Sequence, residues 1–220
     1  MQVNQAQIEF YTMNNPWLDR WNERYSEAGY AYGTEPNEFF KKAISGISGV
    51  GKILFAADGE GRNSVYAATL NWDVYAFDIS EAGKKKALKL ADDNHVSLDY
   101  RVGELPTLGY RNDQFDALAL IYAHFPAEIK SEYHRKLADL LKIGGRIIFE
   151  AFSKNHLAYR KRNPGVGGPN DLGNLFSIEE LEADFQGFEF LSIQENEVEL
   201  KEGRFHIGKG SVIRFIARKI

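Results

Sequence analysis

The chain contains no cysteine, which excludes disulfides, thiolate zinc sites and a cysteine nucleophile. It also has no long apolar run. The longest, around Ala117 to Phe125, is far short of the roughly 20 residues that a membrane-spanning helix needs. The start, MQVNQAQIEFYTMNNPW, lacks the basic beginning and apolar core of a secretory signal. Positive charge is not in excess either. With 27 Lys and Arg against 31 Asp and Glu the net charge is -4, which argues against a broad electrostatic footprint for nucleic acid. The expectation is a soluble, cytoplasmic protein without a membrane or nucleic-acid partner.

What is present is an ordinary globular composition: 220 residues, 44% hydrophobic and 26% charged, enough for one domain with a full core. Short apolar runs alternate with helix-patterned segments, which predicts an α/β fold with a largely parallel sheet. The expected strands are Lys52 to Ala57, Asp73 to Asp78, Val96 to Val102, Phe115 to Tyr122 and Gly145 to Ala151. Helices are expected over Ser64 to Leu70, Glu81 to Ala91 and about Ala127 to Leu141. A short helix at Ser177 to Phe185 has Ser177 as cap and Glu180 to complete a capping box.

After Phe188 the pattern changes. Phe188 to Leu200 and Ser211 to Arg218 are β-rich with only the loop KEGRFHIGKG between them, so they pair as an antiparallel hairpin. The whole is a single-domain three-layer αβα sandwich with a seven-stranded, mostly parallel sheet. Residues 1–50 read as a helical cap and 51–220 as the core. Trp17, Trp21, Tyr25, Tyr30, Tyr32, Phe39 and Phe40 crowd the segment Asn15 to Ser45, where they either pack on the outer sheet face or form a lid. PGVGGPNDLGN, up to Asn174, is a mobile lid or a surface connection.

The most informative stretch is ILFAADGEGRN, Ile53 to Asn63. A strand stops at a glycine-spaced loop and a helix pattern follows, which places a ligand at the carboxyl edge of a parallel sheet. GxGxxG is incomplete, because Ser64 stands at the third glycine position, and no GK[ST] follows for a P-loop. Asp78 ends the second strand where an acidic residue accepts hydrogen bonds from ribose hydroxyls and repels a phosphate. An adenosine ligand without phosphates fits both observations.

DGEGRNSVYAA, VYAFDIS, VGEL, FDALALIYAHFP and LLKIGGRIIFEAF, in that order, resemble the motif set of class I S-adenosylmethionine-dependent methyltransferases. GEGRN, the WxxRY of Trp21 to Tyr25 and the YGTEP of Tyr32 to Pro36 are most similar to the tellurite-resistance-type and thiopurine-type branch. The resemblance covers about Trp17 to Lys219. It implies S-adenosyl-L-methionine as cofactor and S-adenosyl-L-homocysteine as product, with Gly59, Gly61 and Asn63 around the methionine and ribose, and Asp78 with Ile79 at the ribose. It also implies Glu104 at the adenine amino group, Leu105 beside the ring, and Tyr122, Trp21 and Tyr32 near the cofactor. Asp78 and Glu104 are alternatively helix caps, and Tyr122 a core residue. The chain departs from the family in having Phe55 and Ala57 where an acidic residue and a glycine are common; Asp58 then takes over the cofactor's amino group.

Acceptor groups are expected from the strand carboxyl ends. His124 is the candidate base, since imidazole titrates near neutral pH, with Tyr122 beside it. Ser153, His156, Arg204 and His206 are further candidates. The acceptor is expected to be a small molecule, a thiol or chalcogen oxyanion, needing neither a metal nor a strong base; the protein is expected as monomer or homodimer. The alternatives are a methyltransferase acting on RNA or protein through Lys84 to Lys86 and Arg160 to Arg162, a non-catalytic cofactor-binding module, and an NAD-dependent oxidoreductase.

Overall fold

The computed structural model describes residues 16–47 and 49–220; the first fifteen residues of the expected 1–50 cap lie outside the described residues. Among the described residues two helices come first, α1 (Pro16–Ser26) and α2 (Glu38–Ser45). The alternating part follows: β1 (Lys52–Ala56), α3 (Arg62–Thr69), β2 (Asp73–Asp78), α4 (Glu81–Asp93), β3 (Asp99–Val102), β4 (Phe115–Ile121), α5 (Lys130–Asp139) and β5 (Leu141–Phe152). The chain then runs through α6 (His156–Arg162), α7 (Ile178–Asp184), β6 (Phe188–Glu202) and β7 (His206–Lys219).

One seven-stranded sheet has the order β3-β2-β1-β4-β5-β7-β6. The first five strands are parallel and β7 is antiparallel to both neighbours, as the expected terminal hairpin requires. β1 and β4 are neighbours whose connections leave in opposite directions, so a crevice opens at their carboxyl ends. Apolar clusters cover both faces. On one, Phe40 of α2 meets Phe55 of β1 edge-on at 5.3 Å; on the other, Phe149 stacks on Phe215 and Phe185 meets Phe215 edge-on. Phe55 is therefore a core residue, and its departure from the family pattern serves packing. Among the described residues no helix is long and apolar enough to cross a membrane.

Boundaries moved for identifiable reasons. Val96 and Leu98 do not extend β3; His95 turns with φ 58 and they pack instead beside Val65, Leu90 and Ala91. The expected helix to Leu141 is shorter, because β5 already begins at Leu141 and bends through Gly144, φ 78. Most of KEGRFHIGKG is strand, not loop. Only Gly203, Arg204 and Phe205 connect β6 to β7. This tip is stitched to the segment after α1: Arg204 N–H donates to the Ala31 carbonyl at 2.9 Å, and a Cβ on Gly203 would lie 2.5 Å from Tyr32 Cα. The capping box of Ser177 and Glu180 is present on α7.

Candidate functional site

The loop after β1 is shaped by close approach. A Cβ on Gly59 would come within 2.5 Å of Tyr25 Oη, and one on Gly61 within 2.6 Å of Ala87 Cβ. Both glycines have positive φ, 60 and 86, where other side chains are strained. They let Tyr25 of α1 and the body of α4 close on the loop. Neither glycine lines the cavities at this edge; Ala57, Asp58 and Asn63 do. Ala57 itself sits at φ 50, the left-handed angle that a glycine takes without strain.

Two cavities meet at this edge, and Trp17, Trp21, Tyr25, Ala57, Tyr122 and His124 line both. The smaller, of about 50 Å³, is bounded by Asp78, Ile79, Gly103, Glu104 and Tyr133. Asp78 accepts from Gly59 N–H at 3.0 Å and Ser80 N–H at 2.9 Å. Burial pushes its pKa up, the hydrogen bonds from Ser80, Gly59 and Ile79 oppose the rise and the Glu104 charge adds to it, leaving it at about 6. Asp78 does not cap α4; Ser80 does, accepting from Gly83 N–H. Glu104 precedes the turn Leu105–Thr107 without capping it, and accepts from Tyr133 Oη at 2.7 Å. Leu105 is a core residue, 6% exposed, and lines neither cavity.

The larger cavity, about 230 Å³, runs from Asp58 and Asn63 past Tyr122, His124, Phe152 and His206 to the Gly167–Pro169 stretch. The Gly- and Pro-rich loop is thus a wall of the cavity. Asp58 accepts from Ser64 Oγ at 2.5 Å. Burial raises its pKa, with the Ser64 bond and Arg62 opposing and Asp78 adding, to about 7. Asn63 Oδ1 accepts from Asn37 N–H at 2.9 Å, which ties this loop to the start of α2.

The candidate acceptor residues fare differently. His124 Nδ1 meets the Asn174 carbonyl at 3.2 Å, so Nδ1 carries the proton and Nε2 presents a lone pair that is buried with no partner. Burial pulls this imidazole down to about 3. The near-neutral titration expected for it is absent, because the ring is desolvated between Phe152 and Phe176. Tyr122, at φ 53, sits against Phe152 and His206; burial and the charges of Glu150 and Glu202 raise its pKa well above the ordinary value.

His206 belongs to β7 and is buried. Its Nδ1 donates to Glu202 Oε2 at 3.0 Å, and Glu202 also takes Arg62 at 2.9 Å. Arg204 lines the cavity but pairs with Glu27 at 3.0 Å. His156 and Ser153 are not brought to the site. His156 Nε2 meets Gly167 O at 3.1 Å, its Nδ1 accepts from Ser211 N–H, and its ring stacks on Phe152; Ser153 Oγ donates to Ser211 Oγ. Both fasten α6 and β7 behind the cavity.

Sequence reasoning named Trp17 and Trp21 of α1 but missed the arginines that share their face. Trp17, Arg20, Trp21 and Arg24 all line the larger cavity. Their spacing of three, four and seven places them on one helical face, a signal visible in the sequence once arginines are counted with the aromatics. Tyr32, expected near the cofactor, lines the same cavity and accepts from Arg24 Nη1 at 3.1 Å. The aromatic segment thus divides: α2 packs on the sheet face, whereas α1 roofs the cavities. Arg62 and Arg160 were also missed as lining residues. Among the described residues no group of three or more His, Asp or Glu side chains could hold a metal ion.

With sheet order, crevice and lining in place, the chain was compared with known proteins. Residues 53–145 match the family model of a methyltransferase domain. That span runs from the start of β1 to the bend in β5 and contains Asp58, Asp78, Glu104, Tyr122 and His124. The architecture as a whole is the class I methyltransferase fold, Rossmann-like with a terminal antiparallel hairpin. A structure described for the conversion of a disulfide bond into a thioacetal group during echinomycin biosynthesis is 15% identical, with a TM-score of 0.72 over 92% of each chain. TehB from Haemophilus influenzae is 20% identical, with a TM-score of 0.65 over 92% of this chain and 67% of that one. Magnesium protoporphyrin IX methyltransferase (ChlM) from Synechocystis, with bound SAH, is 18% identical, with a TM-score of 0.62 over 100% of this chain and 90% of that one. No curated protein matches the chain.

Proposed function

We propose that the protein is an S-adenosylmethionine-dependent methyltransferase, of the tellurite-resistance-type and thiopurine-type branch, that acts on a small-molecule acceptor in the cytoplasm as a monomer or homodimer. The observation that carries this is the pair of joined cavities at the carboxyl edge within a methyltransferase domain, one bearing Asp78 and Glu104, the other Asp58. The residues suit the cofactor. Asp78 would take the ribose hydroxyls, Glu104 the adenine amino group, and Ile79 with Tyr133 the faces of the ring. Asp58, a carboxylate raised to about 7 by burial, suits the methionine ammonium, whose charge would restore its ionisation.

Bound there, the cofactor supplies an electrophilic methyl group on a sulfonium. That methyl would be open to in-line displacement by an acceptor lone pair, with S-adenosylhomocysteine as the leaving group and any acceptor proton lost to solvent. Trp21, Tyr25 and Tyr122 keep water out and align the partners; orientation of this kind is worth up to roughly 7 to 11 kcal/mol. His124 does not hold the departing proton at neutral pH. Its free Nε2 accepts a hydrogen bond that orients the acceptor, while the protonated Tyr122 hydroxyl stays neutral beside it. Thiols and chalcogen oxyanions fit a site without a strong base.

Calorimetric titration with S-adenosylhomocysteine, followed by methyl transfer to a panel of thiols, oxyanions, phenols and amines, tests the reading. Micromolar binding with turnover of at least one small acceptor is expected; failure to bind the product refutes it, and binding without any turnover leaves only a cofactor-binding module.

A further inference from the structure

The lining of the larger cavity holds more positive charge than ion pairs neutralise, with Asp58 as its one carboxylate among the described residues. Five arginines line it: Arg20, Arg24, Arg62, Arg160 and Arg204. Two are balanced, Arg62 by Glu202 and Arg204 by Glu27. The other three have no carboxylate within ion-pair distance among the described residues. Arg20 lies over Trp17 and Trp21 at 5.8 and 5.6 Å. Arg24 lies over Phe205 at 3.7 Å and donates to Tyr32 Oη. Arg160 donates to the Gly167 carbonyl at 3.0 Å. Aromatic faces and a carbonyl hold these guanidinium groups in place but leave their charge unspent.

At the junction of the two cavities, His124 Nε2 is the second observation. It belongs to a side chain 8% exposed, lines both cavities and has no partner. An unpartnered buried acceptor is costly unless a ligand satisfies it. A hydrogen-bond donor for His124 and a negative charge for the arginines are thus wanted in one space. A cavity of about 230 Å³ holds a small molecule and excludes a folded protein surface or a nucleic-acid duplex.

We infer that the methyl acceptor is a small organic oxyanion, its carboxylate or phosphate group held by Arg20, Arg24 and Arg160 and its reacting N–H, O–H or S–H turned toward His124. The inference rests on the methyl-transfer reading for the word acceptor, though the anion site stands without it. Guanidinium forks match such groups through paired hydrogen bonds. The positive sulfonium in the adjoining cavity would add to the attraction.

Binding of benzoate, phenyl phosphate and neutral benzamide, measured by calorimetry with and without S-adenosylhomocysteine, tests this on the whole protein and on Arg20→Gln and Arg160→Gln variants. At least one of the two anions is expected to bind about tenfold or more tighter than benzamide, since a charge-assisted pair is worth about 1.5 to 3 kcal/mol. Each variant is expected to lose about fivefold or more of that affinity while keeping its melting temperature and its S-adenosylhomocysteine affinity. Preference for benzoate or for phenyl phosphate identifies which oxyanion the forks fit. Anions binding no tighter than benzamide would overturn the inference. So would variants that bind anions as the parent does, or that lose product affinity instead. Failure of the parent to bind S-adenosylhomocysteine refutes methyl transfer, and the anion titration alone still decides the site.

Discussion

Replacing Asp58 by asparagine separates stability from cofactor recognition. Burial raises the Asp58 pKa from 3.8 to about 7, so the folded state binds this proton more tightly than the unfolded chain. The linkage runs one way: the group's contribution is favourable only while it is protonated, and a penalty builds as pH rises from 3.8 and levels off above about 7. A shift of this size corresponds to roughly 4 kcal/mol at about 1.36 kcal/mol per unit. Asp58 is only half-buried, and solvent screening leaves about 2 kcal/mol. The asparagine amide oxygen would still accept from Ser64 Oγ. The ligand-free D58N variant should therefore melt about 4 to 8 °C above the parent at pH 8, with the gap shrinking by pH 5. In the same variant, S-adenosylmethionine should bind about 10- to 100-fold more weakly, the loss of one charge-assisted contact. Thermal unfolding at both pH values with cofactor titrations reads both effects. A gap independent of pH refutes the buried-charge argument, and unchanged cofactor affinity removes Asp58 from the ammonium.

Ala57→Gly should stabilise the protein by about 0.5 to 1 kcal/mol, since φ 50 strains an alanine by about 1 to 2 kcal/mol while glycine returns part of that as unfolded-chain entropy; urea unfolding measures it. Burial pushes Glu202 up, but the Arg62 charge and the His206 bond more than offset this and hold it at about 2. Its contribution is present above the ordinary 4.5 and lost as pH falls toward 2, so Glu202→Ala should cost about 2 to 3 kcal/mol at pH 7 and much less at pH 3. His124→Phe should lower kcat about tenfold or more with product affinity retained, because an orienting hydrogen bond is lost and the cofactor contacts are not. For the parent enzyme, kcat should show no histidine limb between pH 5 and 8; a limb that vanishes in His124→Phe would contradict the lowered pKa.

The fold was legible because its signals are local. ILFAADGEGRN, Asp78 at the end of β2 and the two β-rich segments after Phe188 each state an element and its edge, and a mostly parallel sheet with a terminal antiparallel hairpin follows from them. Ser177 and Glu180 announce α7 in the same way. The site was legible only where one loop supplies it. His156 looked like Arg204 and His206 in the sequence, a polar residue after a strand, yet two backbone partners and Phe152 turn it into a fastener. Nothing local says so, because those partners lie at Gly167 and Ser211. The neutral, buried state of His124 is likewise set by Phe152, Phe176 and Asn174, all distant in sequence. Arg20 and Arg24 were readable from helical spacing, but their lack of carboxylate partners was not.

The stitch between the hairpin tip and the segment after α1 bears on biogenesis. Asn37 donates to both Glu150 and Glu202, the latter 165 positions away, and Ala31 receives Arg204 N–H. On a ribosome α1 and the glycine loop emerge early, but the contacts that Glu202 and Arg204 make with this segment wait for the β6–β7 hairpin. A nascent chain stopped before Gly203 therefore has a nearly complete parallel sheet and no finished roof. The two cavities gain the last fastening of their roof only once that hairpin has left the ribosome.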